Sequence, residues 1–90
     1  MHATIAAPER LEESPALAGL FHLAAQWAGA GRMDDALPVF RTLALAAPDH
    51  YESWEALASC HDQLGQCAVA RSLRAIGKLL EAPAPKDGSP

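Results

Sequence analysis

The feature that most constrains this 90-residue chain is an internal repeat with a period of about 34 residues. Bulky or small apolar residues of a first unit return in a second unit, and a glycine divides each unit into two halves. The matched positions are Leu20 with Trp54, Leu23 with Leu57, Ala24 with Ala58, Gly31 with Gly65 and Ala36 with Ala70. Apolar residues at helical spacing on both sides of a glycine predict two helices joined by a tight turn. We therefore expect an all-α chain of two tandem helix–turn–helix repeats, stacked as a short α-solenoid.

Local signals predict the ends of the helices in the first unit. Ser14 before Pro15 is a typical helix start, because a hydroxyl N-cap precedes a proline in the first turn. The glycines in the stretch 29–31 end this helix. A second helix is expected from about Asp34 to Ala46, with a late start or a slight kink at Pro38.

The second unit begins after a proline. Pro48 ends the preceding helix, since a proline biases the residue before it away from helical geometry. Asp49 followed three residues later by Glu52 has the spacing of a capping box. This predicts a third helix that runs to about Leu64 and, beyond the turn, a fourth helix over about 66–81.

The ends of the chain differ in composition from its middle. We expect a partly ordered segment over 1–13, with a possible short helix around 8–13, and a helical domain over 14–82. Its repeats would span about 17–50 and 51–82. The stretch 83–90 is rich in proline, glycine and serine, which predicts a disordered tail.

Charge and composition exclude several classes of protein. The formal net charge of −4 argues against a nucleic-acid partner, whose binding relies on clustered lysine and arginine. The most apolar stretch is too short to span a bilayer, so we expect no membrane insertion. The N-terminal residues do not have the pattern of a secretory signal, and two free cysteines fit a reducing compartment. These observations predict a cytoplasmic protein.

The repeated unit resembles the tetratricopeptide repeat. The segment LFHLAAQWAGAGRMDDALPVFRTLALAAP follows the family motif W-x2-L-G-x2-Y, A-x3-F and P. In the first unit the motif positions are held by Leu20, Leu23, Ala24, Trp27, Ala36, Phe40 and Pro48. In the second unit they are held by Trp54, Leu57, Ala58, His61 and Ala70, with Arg74 in place of the aromatic residue. The resemblance covers about residues 17–83 and implies the stacked helical fold.

A narrower likeness concerns the middle of the chain. The segment PDHYESWEALASCHDQLGQCAVA is similar to small tetratricopeptide chaperones of bacterial type III secretion, through its Asp49-His50-Tyr51 joint and its Cys60-to-Gly65 helix end. The resemblance implies a cytoplasmic chaperone that keeps a secreted or export-apparatus protein soluble by gripping an extended segment in a concave groove. Related small chaperones work as heterodimers, which adds a co-chaperone as a possible partner. The alternative is a general repeat adaptor or scaffold with no secretion role.

The cysteines and histidines do not form a reactive set. The residue types of a zinc site are present in Cys60, His61 and Cys67, with His50 as a fourth ligand. The C-x6-C spacing, however, differs from that of structural zinc sites. Both cysteines are expected in slots where small apolar residues pack. The sequence contains no combination of a nucleophile, a general base and a third residue that orients the base. It also contains no phosphate-binding glycine loop. We therefore predict no enzyme, no metal and no cofactor; a metal-dependent enzyme is the remaining alternative.

The first helix of each unit, which lines the groove in such repeats, contains no lysine or arginine. Helical spacing from the motif residues places six side chains on the groove: Phe21, Ala25, Ala28, Glu55, Ser59 and Asp62. This predicts a partner-binding surface that is half apolar and half acidic, suited to an extended segment with apolar and basic residues. The alternative is that Glu55 and Asp62 are ordinary surface charges that only keep this helix face hydrated.

The last helix has two different faces in the sequence. Arg71, Arg74 and Lys78 share one face. Four apolar residues opposite them are expected to pack on the third helix: Val69, Leu73, Ile76 and Leu80. Two repeats are fewer than the three that usually give a stable stack, so we expect another chain, identical or different, to complete the fold.

Overall fold

The computed structural model describes residues 14–81, which form four helices and no strand in that range. They are α1 (Pro15–Gly29), α2 (Met33–Ala46), α3 (Tyr51–Gln63) and α4 (Cys67–Leu80). Each helix packs on the next along the chain, α1 also touches α3, and α4 contacts α3 alone among the described helices. The all-α prediction is confirmed. The segment 1–13, with its expected short helix, and the tail 83–90 lie outside the described residues.

The two turns inside the helical pairs have the same geometry. Gly31 has φ 82° and Gly65 has φ 80°, and no other residue in the described part of the chain has a positive φ. Each glycine follows the last helical residues and allows the next N–H to reach back into the helix. These bonds join Arg32 N to the Trp27 carbonyl and Gln66 N to the His61 carbonyl, each at 2.8 Å. The predicted glycine turns are confirmed.

The core is centred on α2, which packs against both α1 and α3. Phe40 and Leu43 of α2 are its largest fully buried apolar side chains. Around them lie Ala24 of α1, Met33 and Ala36 of α2, Ala47 after α2, and Leu57 and Cys60 of α3. Small residues at these places let the helices approach closely, while the few large side chains supply most of the buried apolar area.

The start of α2 lies one residue before the predicted Asp34. The helix begins at Met33 and continues through Pro38, so of the two effects expected at this proline the late start is wrong. Pro38 is exposed, and water can therefore replace the helical hydrogen bond that a proline cannot donate. One turn later, the Thr42 hydroxyl donates to the Pro38 carbonyl at 2.9 Å.

The segment between α2 and α3 packs against its neighbours. The N-cap position belongs to His50 and not to Asp49, and the His50 side chain makes no capping bond, so the predicted capping-box register is wrong. The His50 imidazole instead lies with Nδ1 2.9 Å from the hydroxyl of Ser53, which is fully buried. At the first helix, by contrast, the Ser14 hydroxyl accepts from Leu17 N at 3.3 Å, as predicted.

Candidate protein-binding surfaces

The apolar half of the predicted groove lies largely against the core. The ring of Phe21 meets the ring of Phe40 edge-on at 5.5 Å and the ring of His50 edge-on at 5.6 Å. Phe21 and Ala28 are half-buried beside the core, whereas Ala25 is exposed. Of these three residues, only Ala25 is fully available to a partner.

The acidic half of the groove is bound by an arginine from α4. Arg74 Nε lies 2.9 Å from Glu55 Oε1, and Arg74 Nη1 lies 2.8 Å from Asp62 Oδ2. The Tyr51 hydroxyl donates to Glu55 Oε1 at 3.1 Å, and the Ser59 hydroxyl donates to Glu55 Oε2 at 3.5 Å. The structure thus gathers the three predicted α3 residues into one cluster, but it pairs their charges within the chain.

The electrostatics of this cluster follow from its contacts. The hydrogen bond from Arg74 holds the pKa of the Glu55 carboxyl below its usual value. The hydrogen bonds to Glu55 and Asp62 raise the pKa of the Arg74 guanidinium, and burial followed by the Glu55 hydrogen bond raises the pKa of Tyr51. Two carboxylates and one guanidinium leave a formal charge of about −1, so the surface is less acidic than the α3 sequence indicates.

The ion pair of the second unit replaces an aromatic contact of the first. In the repeat, Glu55 holds the position of Phe21, and Arg74 holds the position of Phe40. The same two positions therefore join the helices of each pair, through ring edges in one and through a charged hydrogen bond in the other. Helical spacing in the sequence groups Arg74 with Arg71 and Lys78 on one face of α4. Its match to buried Phe40 in the internal repeat was the signal that it packs towards the neighbouring helix.

The first helix carries apolar residues that its own unit leaves uncovered. Leu23 is 39 % exposed, whereas Leu57, at the same position of the second unit, is only 4 % exposed. Leu57 belongs to the same buried cluster as Phe40 of α2, which precedes α3 in the stack, while no described helix precedes α1. The repeat pattern gives Leu23 and Leu57 the same position and so predicts equal burial of the two, which is wrong for Leu23. We call this side of α1 the α1 edge. It is made of the exposed residues Leu20, Leu23 and Gln26 and of Trp27, which is half-buried against the core.

The fourth helix is turned differently from the prediction. Only Ala70 and Gly77 of α4 are buried, and Leu73 is half-buried against the core. Val69, Ile76 and Leu80 are each 40–45 % exposed, so the expected packing of all four apolar residues on α3 is wrong. We call the apolar set Val69, Leu73, Ile76 and Leu80 the α4 stripe.

The α4 stripe is exposed because the residues of α4 that face α3 are small. A Cβ placed on Gly77 would lie 2.6 Å from Trp54 Cβ, so the two helices meet where α4 has no side chain. Arg74 and Lys78 lie beside this contact, with Lys78 Nζ 4.9 Å from the centre of the Tyr51 ring. The close approach and the paired cations together turn the α4 stripe away from α3.

The second helices of the two units, α2 and α4, differ in polarity at several matching positions. Where the first unit buries or half-buries Leu37, Ala44 and Ala47, the second unit has Arg71, Lys78 and Glu81 at the matching positions. Where α2 exposes Asp35 and Thr42, α4 has Val69 and Ile76. Two residues of the α4 stripe, Val69 and Ile76, therefore lie at positions that are polar in α2, whereas Leu73 and Leu80 match the half-buried apolar residues Val39 and Ala46.

The cysteines and histidines show no reactive arrangement within residues 14–81. Cys60 is buried, which raises the pKa of its thiol, whereas Cys67 is exposed, so the expected packing slot is wrong for Cys67. His61 Nδ1 lies 2.6 Å from Gln66 Oε1. In this part of the chain no three His, Cys, Asp or Glu side chains lie close enough together to hold a metal ion.

One shallow depression lies between the first turn and the end of α3. It has a volume of about 540 Å³ and is lined by residues that include Arg32, Asp34 and Gln63. Arg32 also forms an ion pair with Asp35, which lines the same depression, at 2.8 Å.

Comparisons of the chain with protein-family models, with curated proteins and with solved structures found no match in any of the three. Among the described helices, none combines the length and the apolar character needed to cross a bilayer.

Proposed function

We propose that this chain is a non-enzymatic protein-binding module, built as a short tetratricopeptide-like stack, which buries an apolar helical segment of a partner protein on the α1 edge. The observation that carries the proposal is the pair Leu23 and Leu57, of which the first is exposed and the second is buried. Both residues hold the same position of the repeated unit. What differs is the presence of a neighbouring helix.

The chain itself contains a template for the missing neighbour. At the positions of α3 that correspond to the α1 edge, Leu57 and Cys60 lie in one buried cluster with residues of α2. The α2 residues in that cluster are Met33, Ala36, Phe40 and Leu43. The partner helix should therefore present small and bulky apolar residues three and four positions apart, as α2 does. Gln26, which takes the place of buried Cys60, adds one amide that the partner must accommodate.

The energy available at this edge is that of apolar burial. Covering one leucine side chain completely is worth about 1.5–3 kcal/mol, and Leu20 and Leu23 are already partly covered. A partner helix bound here would bury its own apolar face in return. Such binding keeps an aggregation-prone segment out of water, which is the task of a chaperone.

The sequence resemblance supports a more specific role as a type III secretion chaperone for a secreted or export-apparatus protein. The runner-up is a general adaptor of the same repeat type. The face formed by Phe21, Ala25, Ala28, Glu55, Ser59 and Asp62 is the second candidate surface. It is supported by exposed Ala25 and by the acidic charge that remains after pairing with Arg74.

A defined probe tests the α1 edge. A fluorescently labelled peptide of residues 33–47 carries the packing face of α2, and anisotropy measures its binding to the full chain. We expect saturable binding with a Kd below about 1 mM, and no saturation with a control peptide that carries Phe40→Glu and Leu43→Glu.

Two matched variants of the chain decide which surface is used. Leu23→Glu should abolish binding of the peptide, because it charges the α1 edge. Ala25→Glu adds the same charge to an exposed residue of α1 on the other candidate surface, and it should leave the Kd within about twofold. Loss of binding with Ala25→Glu and not with Leu23→Glu would move the site to the groove. Failure of the unmodified peptide to bind the parent chain would contradict the proposal.

Co-expression separates the chaperone from the adaptor. A secretion chaperone should be poorly soluble alone and be rescued by a small secretion-apparatus protein from the same cell. An adaptor should express stably alone and bind short peptides. Identification of a secreted protein that co-purifies with the tagged chain, and is lost with Leu23→Glu, would establish the secretion role.

A further inference from the structure

We propose that the α4 stripe is the seam of a homodimer, in which α4 of one chain packs antiparallel against α4 of a second copy. This surface differs from the α1 edge, so the dimer does not depend on the proposed function. Three residues of the stripe, Val69, Ile76 and Leu80, are left 40–45 % exposed.

The spacing of the stripe indicates a helix as its occupant. Its four residues follow one another at intervals of four, three and four positions. This is the spacing of the seam between two helices that pack side by side, in which each apolar residue fits between residues of the facing helix. An extended segment with alternating side chains would not match it.

The residues beside the stripe indicate what kind of helix packs against it. On one flank lie Ala70 and Gly77, which are buried against α3; on the other lie Ser72 and Leu79. None of the four is charged. Charged residues at these flanking positions normally decide which helices pair, so this seam offers a charged partner no complementary group.

The cations of α4 are kept away from the seam. Arg74 is paired with Glu55 and Asp62 of α3, and Lys78 Nζ lies 3.5 Å from Glu81 Oε1. Arg71 lies one turn before them on the same side of the helix. Two copies of this helix therefore meet without like charges across the contact, and an uncharged apolar stripe is best matched by its own copy.

An antiparallel arrangement gives a closed two-fold contact. Val69 then faces Leu80 of the second copy, and Leu73 faces Ile76. Leu79, which is 85 % exposed, covers the open flank. Antiparallel helix dipoles also favour this direction. A seam on a helix of 14 residues is about 21 Å long and belongs to the small class of interfaces, so we expect a Kd of about 10–100 µM.

Sedimentation equilibrium of the full chain tests the proposal. From about 1 µM to about 1 mM, the average mass should rise from that of one chain towards that of two. Ile76→Glu should keep the chain monomeric, whereas Ala75→Glu, an equal charge on the adjacent exposed residue outside the stripe, should dimerise as the parent does. Leu79→Glu provides a variant that cannot disturb the fold, because its side chain is already in water; it should weaken the dimer at least about tenfold.

A mixing experiment tests the direction of the helices. Val69→Glu and Leu80→Lys should each be largely monomeric alone, and a mixture of the two should dimerise, because the antiparallel seam brings the new charges together. A chain that stays monomeric at all concentrations overturns the proposal, including the case in which residues 1–13 cover the stripe. A dimer unaffected by Ile76→Glu, or variants that do not recombine, would also overturn it.

Discussion

Gly77 of α4 lies so close to Trp54 of α3 that a Cβ at position 77 would stand 2.6 Å from the Trp54 Cβ. This contact sets which side of α4 faces the rest of the chain. It brings Ala70 and Gly77 inward, places Arg74 against the α3 carboxylates, and leaves three of the four residues of the α4 stripe exposed.

The first prediction concerns Gly77. Gly77→Ala should destabilise the chain by about 1–3 kcal/mol, because the new methyl group overlaps Trp54 and outweighs the better helix propensity of alanine. Gly19→Ala, in α1 with no atom within 4 Å of a Cβ, should stabilise it by up to about 1 kcal/mol. Urea unfolding followed by circular dichroism measures both; equal effects would contradict the close contact.

The second prediction compares the two equivalent leucines. Leu57→Ala should lower the free energy of unfolding by about 2–5 kcal/mol, as is typical of a fully buried leucine. Leu23→Ala should cost less than half of this, since Leu23 is 39 % exposed. A similar loss for both variants would mean that Leu23 is covered in solution, either by residues 1–13 or by another chain.

The third prediction follows from the lowered pKa of Glu55. In the unfolded chain this carboxyl binds a proton at a higher pH than in the folded chain, so its stabilising effect is complete above about pH 4.5 and disappears as the pH falls further. Glu55→Gln should lower stability at neutral pH by less than about 1 kcal/mol, because the pair is partly exposed. It should also make the acid-induced loss of stability shallower. Urea unfolding of the parent and of Glu55→Gln at about pH 7 and at about pH 3 measures both effects, and an equally steep acid-induced loss for the two proteins would contradict them.

The fourth prediction separates the two cysteines. An aromatic disulfide reagent should modify Cys67 rapidly and Cys60 only as the chain opens, because Cys60 is 1 % exposed and burial raises the pKa of its thiol. Absorbance should report one fast-reacting thiol per native chain and two in denaturant. Cys67→Ser should remove the fast phase; two fast thiols in the native chain would show that α3 is not packed as described.

The sequence predicted the helices and turns well because these depend on local signals. Ser14, Gly31 and Gly65 act within a few residues, and the structure uses each of them as expected. Pro38 was misjudged, since its effect depends on whether water reaches that side of α2, which is a property of the packed chain.

The binding surfaces were harder to predict because identical local patterns have different neighbours. Leu23 and Leu57 carry the same sequence signal, but only Leu57 has a preceding helix within the described residues. In α4 the apolar spacing identified a stripe but did not predict that α3 leaves most of it exposed. The small residues Ala70 and Gly77 were the signal for close packing, and their spacing of seven marks the side that meets α3.

Binding at the α1 edge is tested most directly by an amide correlation spectrum of the isotope-labelled chain, recorded during titration with the peptide of residues 33–47. We expect the signals of Leu20 and Leu23 and the indole signal of Trp27 to shift with the peptide concentration, while those of Ala25, Ser59 and Ile76 stay in place. Shifts confined to Ala25 and Ser59, or to the α4 stripe, or no shifts at all, would contradict the claim that the α1 edge receives a partner helix as α3 receives α2.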